Sequence, residues 1–375
     1  MDSCGPWNGG LRLCYDAVER LCFRDKGKTM SELRWDPLKS NWAIITTGRG
    51  RRPQEFLTPR ERLPVTVCPF CPGKEQKTPP EVYALRHTGS GSNQPGWQVR
   101  VIPNKFPVLK IEGEIDSRAH GLYDRMNGIG AHEIIIEHPD HERDMADLTG
   151  SEIAEVFKAF RARMIDLRND ARFRYLFAFK NHGIEAAINM PHSHSQLIAV
   201  PLVPPMITTE LSICRDYFGH KERCLICDLM MQERQEKVRV VRDDGNFLVY
   251  APYASSFPFE LRITPLHHGH DFTAQTDQQL LALGEAMSDT LKRLRSTLRD
   301  PPFSFILHTA PPMHLRKGRP EYWGSLPFDY HWYIELAPKL TKMAGFEWGT
   351  GFHMNPTSPE EAASFLRGAE ITLRP

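Results

Sequence analysis

Three short runs carry residue types able to do chemistry: Cys68-Pro-Phe-Cys71, Cys224-Leu-Ile-Cys227 and His192-Ser-His194-Ser-Gln196. A CxxC pair brings two thiolates to one point, and a tetrahedral zinc centre then needs two more nitrogen or sulfur ligands. In a reducing compartment such pairs point to metal before disulfide. A neutral imidazole has a different use. It is nucleophilic near neutral pH and can accept a phosphoryl group, and the phosphoramidate so formed can be displaced in turn. Charge developing on the phosphate oxygens needs donors close by, and Gln196, Asn181 and backbone N–H groups near Gly183 are candidates.

The elements that must position these groups occur twice along the chain. Each CxxC pair precedes an apolar segment ending in proline, WQVRVIPNKFP at 97–107 and FLVYAPYASSFP at 247–258. The β-rich runs HEIIIEHPDH (132–141) and FELRITPLHH (259–268) follow, each closing on a proline with a histidine shortly behind it, His141 and His268. Ile153, Val156, Phe157, Phe160, Met164 and Leu167 then recur at helical spacing, as do Leu280, Leu283, Met287, Leu291 and Leu294. Thr149 with Glu152 and Thr276 with Gln279 read as capping boxes that start these helices. Two strand-like runs end each copy: YLFAFKNHG (175–183) and HSHSQLIAV (192–200), then SFILHTAPP (304–312) and HWYIELAP (331–338).

This order predicts a tandem duplication of an α+β unit, with a largely antiparallel sheet and packed helices. A Pro-rich link, PLVPP at 201–205, and a segment to about 222 separate the copies, while Ser358 and Pro359 start a closing helix. The expected domains are 30–205 and 206–375. Residues 1–29, with Cys4, Cys14 and Cys22, are expected to be extraneous or disordered, Met30 being an alternative start.

Aligning the copies nominates two matched ligand sets, Cys68, Cys71, His141 and His192, and Cys224, Cys227, His268 and His331. Four protein ligands imply closed, structural sites for zinc, the second of which could take another divalent metal. The competing readings are buried apolar cysteines or a redox dithiol, the latter without a thioredoxin-like βαβ context. His267 and His270 flank His268, so that ligand rests on the repeat alignment. His192 and His194, two apart on a predicted strand, are expected to point to opposite faces, so that with His192 toward the metal His194 lies on the other face beside Gln196. In copy two the counterpart of His194 is Tyr333 while His331 is kept. His194 is therefore the candidate nucleophile, and copy two is expected to be catalytically silent.

With 47 basic and 46 acidic residues the net charge is +1, which creates no field for gathering nucleic acid or coating a membrane. No apolar run approaches the roughly 20 residues that span a bilayer, and residues 1–29 lack a signal-peptide core, so the expected location is the cytoplasm. A zinc-ribbon module binding nucleic acid is the rival of another class. It requires basic patches with interleaved aromatics, and residues 66–80 and 222–232 carry few.

HxHxQ at 192–196, FKNxG at 179–183 and the paired CxxC motifs resemble the galactose-1-phosphate uridylyltransferases, within the wider histidine-triad superfamily. RWDPLKSNWAII, GRGRRP, RVIPNKFP and GFEWGTGFHMNP (345–356) extend the likeness from about residue 32 to about 366. The resemblance implies two histidine-triad-like units and a ping-pong transfer of a nucleoside monophosphate through His194, from UDP-glucose to galactose 1-phosphate. It is shared by plant ADP-glucose phosphorylases, which pass an adenylyl group to phosphate. It further implies that Gln196 and Asn181 hold phosphate, Asn104 contacts the nucleoside, and Arg49 and Arg52 meet the phosphates of the sugar substrate. Phe346 and Glu347 resemble a hexose-binding segment that reaches a neighbouring subunit's site, implying a homodimer. Where relatives read Gly-Ala-Ser, this chain has Ala187-Ile188-Asn189. Asn189 can donate through its amide in place of the serine, but Ile188 adds bulk and Ala187 removes the freedom of glycine.

Overall fold

The structure, a computed structural model, describes residues 30–46, 50–56, 67–186, 188, 190–314 and 323–371. The expectations for residues 1–29, Arg49, Ala187 and Asn189 lie outside the described residues. Along the chain come β1 (Glu32–Asp36), β2 (Asn41–Ile45), β3 (Tyr83–Arg86), β4 (Trp97–Pro103), β5 (Arg118–His120), β6 (Tyr123–Arg125), β7 (Ala131–Ile136), α1 (Gly150–Leu167), β8 (Tyr175–His182) and β9 (His194–Val200). There follow α2 (Pro205–Lys221), α3 (Leu225–Glu236), β10 (Val240–Asp243), β11 (Phe247–Tyr250), β12 (Leu261–Pro265), α4 (Asp277–Leu298), β13 (Phe303–His308), α5 (Leu326–Asp329), β14 (Tyr333–Pro338), α6 (Gly345–Thr350), β15 (His353–Asn355) and α7 (Pro359–Arg367).

The architecture is mixed α+β around one ten-stranded sheet, ordered β10-β11-β12-β14-β13-β8-β9-β7-β4-β3. Its pairings are antiparallel throughout. Counted from either edge inward, the strands arrive in the same chain order, β3-β4-β7-β9-β8 on one side and β10-β11-β12-β14-β13 on the other. The halves meet at β8 and β13, whose register runs from His182 opposite Phe303 to Ala178 opposite Leu307.

Both capping boxes form. Thr149 Oγ1 accepts from the Glu152 N–H at 3.2 Å, and the Glu152 carboxylate accepts from the Thr149 N–H at 2.8 Å. The Gln279 N–H donates to Thr276 Oγ1 at 3.3 Å and the Thr276 N–H to Gln279 Oε1 at 2.8 Å, which satisfies two otherwise free donors at each helix start. The apolar stripes of α1 and α4 share one core with Val99, Val101, Ile135, Leu197 and Ala199 of the sheet. The helices cross where glycine permits contact, since a Cβ on Gly284 would lie 2.1 Å from the Gly150 carbonyl oxygen. Gly284→Ala is accordingly expected to cost about 1–3 kcal/mol through overpacking. A melting temperature equal to wild type would contradict that close crossing.

The segment after PLVPP is a helix, α2, and not merely a link. Pro205 supplies its first turn, and Ile207, Leu211 and Cys214, spaced by four and three, pack against Tyr330 and Tyr333. The N-terminal hairpin also joins the second half. β2 pairs in parallel with β15, and Asp36 makes a buried ion pair with Arg262 at 2.8 Å. Among the described residues no helix is long and apolar enough to cross a membrane.

Candidate functional site

β9 alternates between two environments. Leu197 and Ala199 enter the core shared with the helices, while His194 and Gln196 face the other way and line a cleft of about 380 Å3. Antiparallel pairing sets Ile134 of β7 and Phe179 of β8 opposite Gln196, so neighbouring strands bring Ile134 and Asn181 to the same cleft. Asn104, just past β4, lines it too, with Phe70, Lys77, Ile188 and Met190. Four of the predicted substrate-site residues, Asn104, Asn181, His194 and Gln196, thus stand together. Ile188 does add apolar bulk to the wall.

Of the other predicted substrate residues, the described ones, Arg52, Phe346 and Glu347, stand apart from this cleft. Arg52 is exposed, and its backbone N–H donates to the Glu55 carboxylate at 2.7 Å. Phe346 lies on α6 at 45% exposure, and Glu347 accepts from the Ala344 N–H at 3.1 Å to cap that helix. Trp348 beside them is 84% exposed, so α6 presents apolar surface outward.

The His194 ring is fixed by its own strand entry. Nδ1–H donates to the His192 carbonyl oxygen at 2.8 Å, which leaves the lone pair on Nε2. Burial holds the imidazole below the ordinary histidine pKa; the carbonyl bond opposes this, and the Lys180 charge adds to the lowering. A neutral ring with a free Nε2 at a cleft wall has the form a nucleophile requires.

Behind His194 lies a buried ion pair that the sequence reading missed. Lys180 Nζ donates to Glu137 at 2.8 Å, to Ser193 Oγ at 3.0 Å and to the His194 carbonyl oxygen at 3.2 Å. The Glu137 carboxylate also accepts from the Ser193 hydroxyl at 2.6 Å and from the Ser195 hydroxyl. Burial opposes ionisation of Glu137, but Lys180 and these hydroxyls overcome it and hold its carboxyl below the usual range. The pair therefore grips the residues on both sides of His194. Lys180→Met strands a carboxylate without its cation, and a loss of about 3–5 kcal/mol in unfolding free energy is expected from urea titration. An unchanged midpoint would contradict an ionised pair there.

Among the described residues, both predicted Cys/His sets form groups that could hold a metal ion: Cys68, Cys71, His141 and His192, and Cys224, Cys227, His268 and His331. Within each group the potential ligand atoms lie within 4.8 Å of one another. Sulfur at roughly 2.3 Å and nitrogen at roughly 2.0 Å from one tetrahedral zinc would stand about 3.5 Å apart. In the first group, Cys71 Sγ is 3.5 Å from His141 Nδ1 and 3.7 Å from His192 Nδ1, and Cys68 Sγ is 3.6 Å from His192 Nδ1. In the second, Cys227 Sγ is 3.2 Å from Nδ1 of both His268 and His331. His192 and His268 each use Nε2 to donate to a carbonyl oxygen, of His138 at 2.8 Å and Pro327 at 3.0 Å, so Nδ1 keeps its lone pair for a metal. In a third group, Asp144, His182 and Asp300, both carboxylates already pair with the Arg295 guanidinium.

The expected placement of His192 and His194 on opposite faces is overturned. β9 begins at His194, and His192 lies two residues earlier, in the bend that leads into the strand. Phe70, from inside the first CxxC, meets both rings edge-on, with centroids at 6.2 Å from His192 and 5.6 Å from His194. The first Cys/His group and the cleft are thus neighbours, and the loop carrying the two cysteines supplies Pro69 and Phe70 to the cleft wall.

In the second half the corresponding face is filled. Tyr333 is fully buried, donates to Glu210 at 3.1 Å and stacks on His308 at 4.4 Å. Lys39 from the hairpin reaches Glu260 at 3.1 Å and Glu335, two residues beyond Tyr333, at 2.7 Å.

Comparison with known proteins follows the same geometry. The family model described as galactose-1-phosphate uridyl transferase, N-terminal domain, matches residues 27–204. An ADP-glucose phosphorylase of Arabidopsis thaliana is 32% identical over 346 residues, spanning 91% of this chain and 93% of that protein. A galactose-1-phosphate uridylyltransferase of Thermotoga maritima is 25% identical over 354 residues, spanning 92% and 100%. The crystal structure of an ADP-glucose phosphorylase from Arabidopsis thaliana with bound ADP-glucose superposes with a TM-score of 0.76 at 29% identity, covering 92% of this chain and all of that one.

Proposed function

Because the chain belongs to the galactose-1-phosphate uridylyltransferase family, we propose that it transfers a nucleoside monophosphate from a nucleotide sugar through a covalent intermediate on His194. The observation that carries this reading is the His194 ring, tied at Nδ1 to the His192 carbonyl, on the wall of a cleft that also holds Gln196, Asn181 and Asn104.

In the first step Nε2 of His194 attacks the phosphorus attached to the nucleoside. The N–P bond forms, and the bond from that phosphorus to the sugar phosphate breaks, the sugar 1-phosphate leaving with the electron pair. In the second, an oxygen of phosphate or of a hexose 1-phosphate attacks the same phosphorus and the N–P bond breaks. The amides of Gln196 and Asn181 donate to the phosphate oxygens as charge shifts between these states. Asn104 meets the nucleoside; phosphate contacts by Asn189, Arg49 and Arg52 rest on the family resemblance alone, Arg52 standing outside the residues that line this cleft.

For the donor we favour ADP-glucose, with phosphate as acceptor. The 32% identity to the plant phosphorylase, against 25% to the bacterial uridylyltransferase, supports that order and reverses the ranking expected from motifs alone. UDP-glucose with galactose 1-phosphate is the second reading, supported by the family match over residues 27–204. Incubation with each nucleotide sugar separates them. ADP-glucose is expected to leave acid-labile adenylate on the protein faster than UDP-glucose leaves uridylate, and the opposite order would select the second reading.

Zinc is the metal we assign to both Cys/His groups, since all eight ligands are cysteine or histidine and the first group's sulfur-to-nitrogen distances fit a tetrahedral centre. When bound it supplies only structure: Cys68 and Cys71 hold Pro69 and Phe70 against the cleft, and His192 presents its carbonyl to His194. We read 30–205 and 206–375 as duplicated units, the common strand order supporting this, with the second silent because Tyr333 and Lys39 occupy its face. The outward Phe346 and Trp348 support a homodimer in which α6, with Glu347, reaches the partner's sugar site.

A further inference from the structure

Two amides, Gln196 and Asn181, reach the cleft, and each could face it with either its oxygen or its NH2 group. Only the NH2 side helps a phosphate, because an amide oxygen turned toward the anion repels it. In both residues the oxygen is already engaged. His132, 8% exposed on β7, places Nε2 2.8 Å from Gln196 Oε1. The Val108 N–H donates to His132 Nδ1 at 3.3 Å, so the ring proton sits on Nε2 and is donated to the Gln196 oxygen. Ser304, directly opposite Asn181 across the β8–β13 pairing, donates its hydroxyl to Asn181 Oδ1 at 2.9 Å.

We propose that His132 and Ser304 are positioning residues that lock the Gln196 and Asn181 amides with both NH2 groups turned to the transferred phosphate. This rests on the nucleotidyl-transfer reading above. His132 ties in the nucleoside end as well. Its carbonyl accepts from the Asn104 N–H at 2.7 Å, and its ring nitrogens lie 3.3 and 3.2 Å from the Asn104 side-chain nitrogen. Ser304 belongs to the second half of the chain, although the residues lining the cleft fall between Pro69 and Gln196. The second half thereby acts on the site without touching the substrate.

The test measures single-turnover formation of the nucleotidyl-enzyme from ADP-glucose and from UDP-glucose, using the full chain. Ser304→Ala is expected to slow this step about tenfold, with half-saturation by the nucleotide sugar little changed. Ser304→Thr, which keeps the hydroxyl, restores the rate. Adding Ser304→Ala to Asn181→Ala causes no further loss, because the amide to be oriented is gone. His132→Phe behaves likewise and loses most of its effect in a Gln196→Ala background, the remainder being its ring contact with Asn104, while His132→Gln, which retains an N–H donor, recovers part of the rate. Unchanged rates, or a tenfold loss that persists in the Asn181→Ala and Gln196→Ala backgrounds, would overturn the proposal. Should His132→Phe fail to fold, the Ser304 arm decides alone. If neither nucleotide sugar labels the wild-type protein, the transfer reading itself fails and takes this proposal with it.

Discussion

His194→Ala is expected to lower turnover by at least about 10⁴-fold and to abolish nucleotide labelling of the protein. The size follows from the chemistry. Without Nε2 there is no first acceptor for the nucleotidyl group, and direct displacement by the second substrate would require both anionic phosphates to meet in one cleft. The fold should survive, since the ring lines a cleft and its one hydrogen bond is to the carbonyl two residues earlier in its own chain. A far-ultraviolet spectrum and melting temperature near wild type would separate chemistry from unfolding. A variant with a tenth of wild-type activity would show that another group takes the nucleotide.

Substitution in the first Cys/His group is expected to act on stability and chemistry together. Cys68→Ser should remove one of the two metal equivalents per chain, lower stability by more than about 4 kcal/mol and depress nucleotidyl transfer. The link is physical: Cys68 and Cys71 bracket Pro69 and Phe70 of the cleft wall, and His192 of the same cluster carries the carbonyl that tethers His194. Cys224→Ser should remove the other equivalent and destabilise the second half, while leaving transfer far less affected in whatever fraction stays folded. Metal analysis by mass spectrometry alongside activity checks both. Equal loss of transfer from the two variants would contradict the assignment of chemistry to the first half.

The helices and their starts were legible because their signals are local. Thr149 with Glu152, and Thr276 with Gln279, encode hydrogen bonds within three residues, and both boxes form. Repetition made the two Cys/His groups legible, since aligned copies nominate partners that no single motif could. The continuous sheet was not, because the pairing of Tyr175–His182 with Phe303–His308 joins strands more than a hundred residues apart and leaves no local mark. The same holds for Lys39, whose partners Glu260 and Glu335 are distant in sequence. The mistaken faces of His192 and His194 came from handling two residues that share a side as if they alternated. His132, Glu137 and Lys180 carried a signal that went unused: a polar or charged residue inside an otherwise apolar strand run must find a partner when buried. Ser304 carried none, its role arising only from register with Asn181.

The most direct measurement is to incubate the full chain with ADP-glucose or UDP-glucose, quench under alkaline conditions that preserve phosphoramidates, and map the modified peptide by mass spectrometry. One nucleoside monophosphate is expected per chain, attached to His194 within residues 192–196, and lost on adding phosphate or a hexose 1-phosphate. A nucleotide on any other side chain, or steady turnover with no nucleotide ever bound to the protein, would contradict the covalent mechanism.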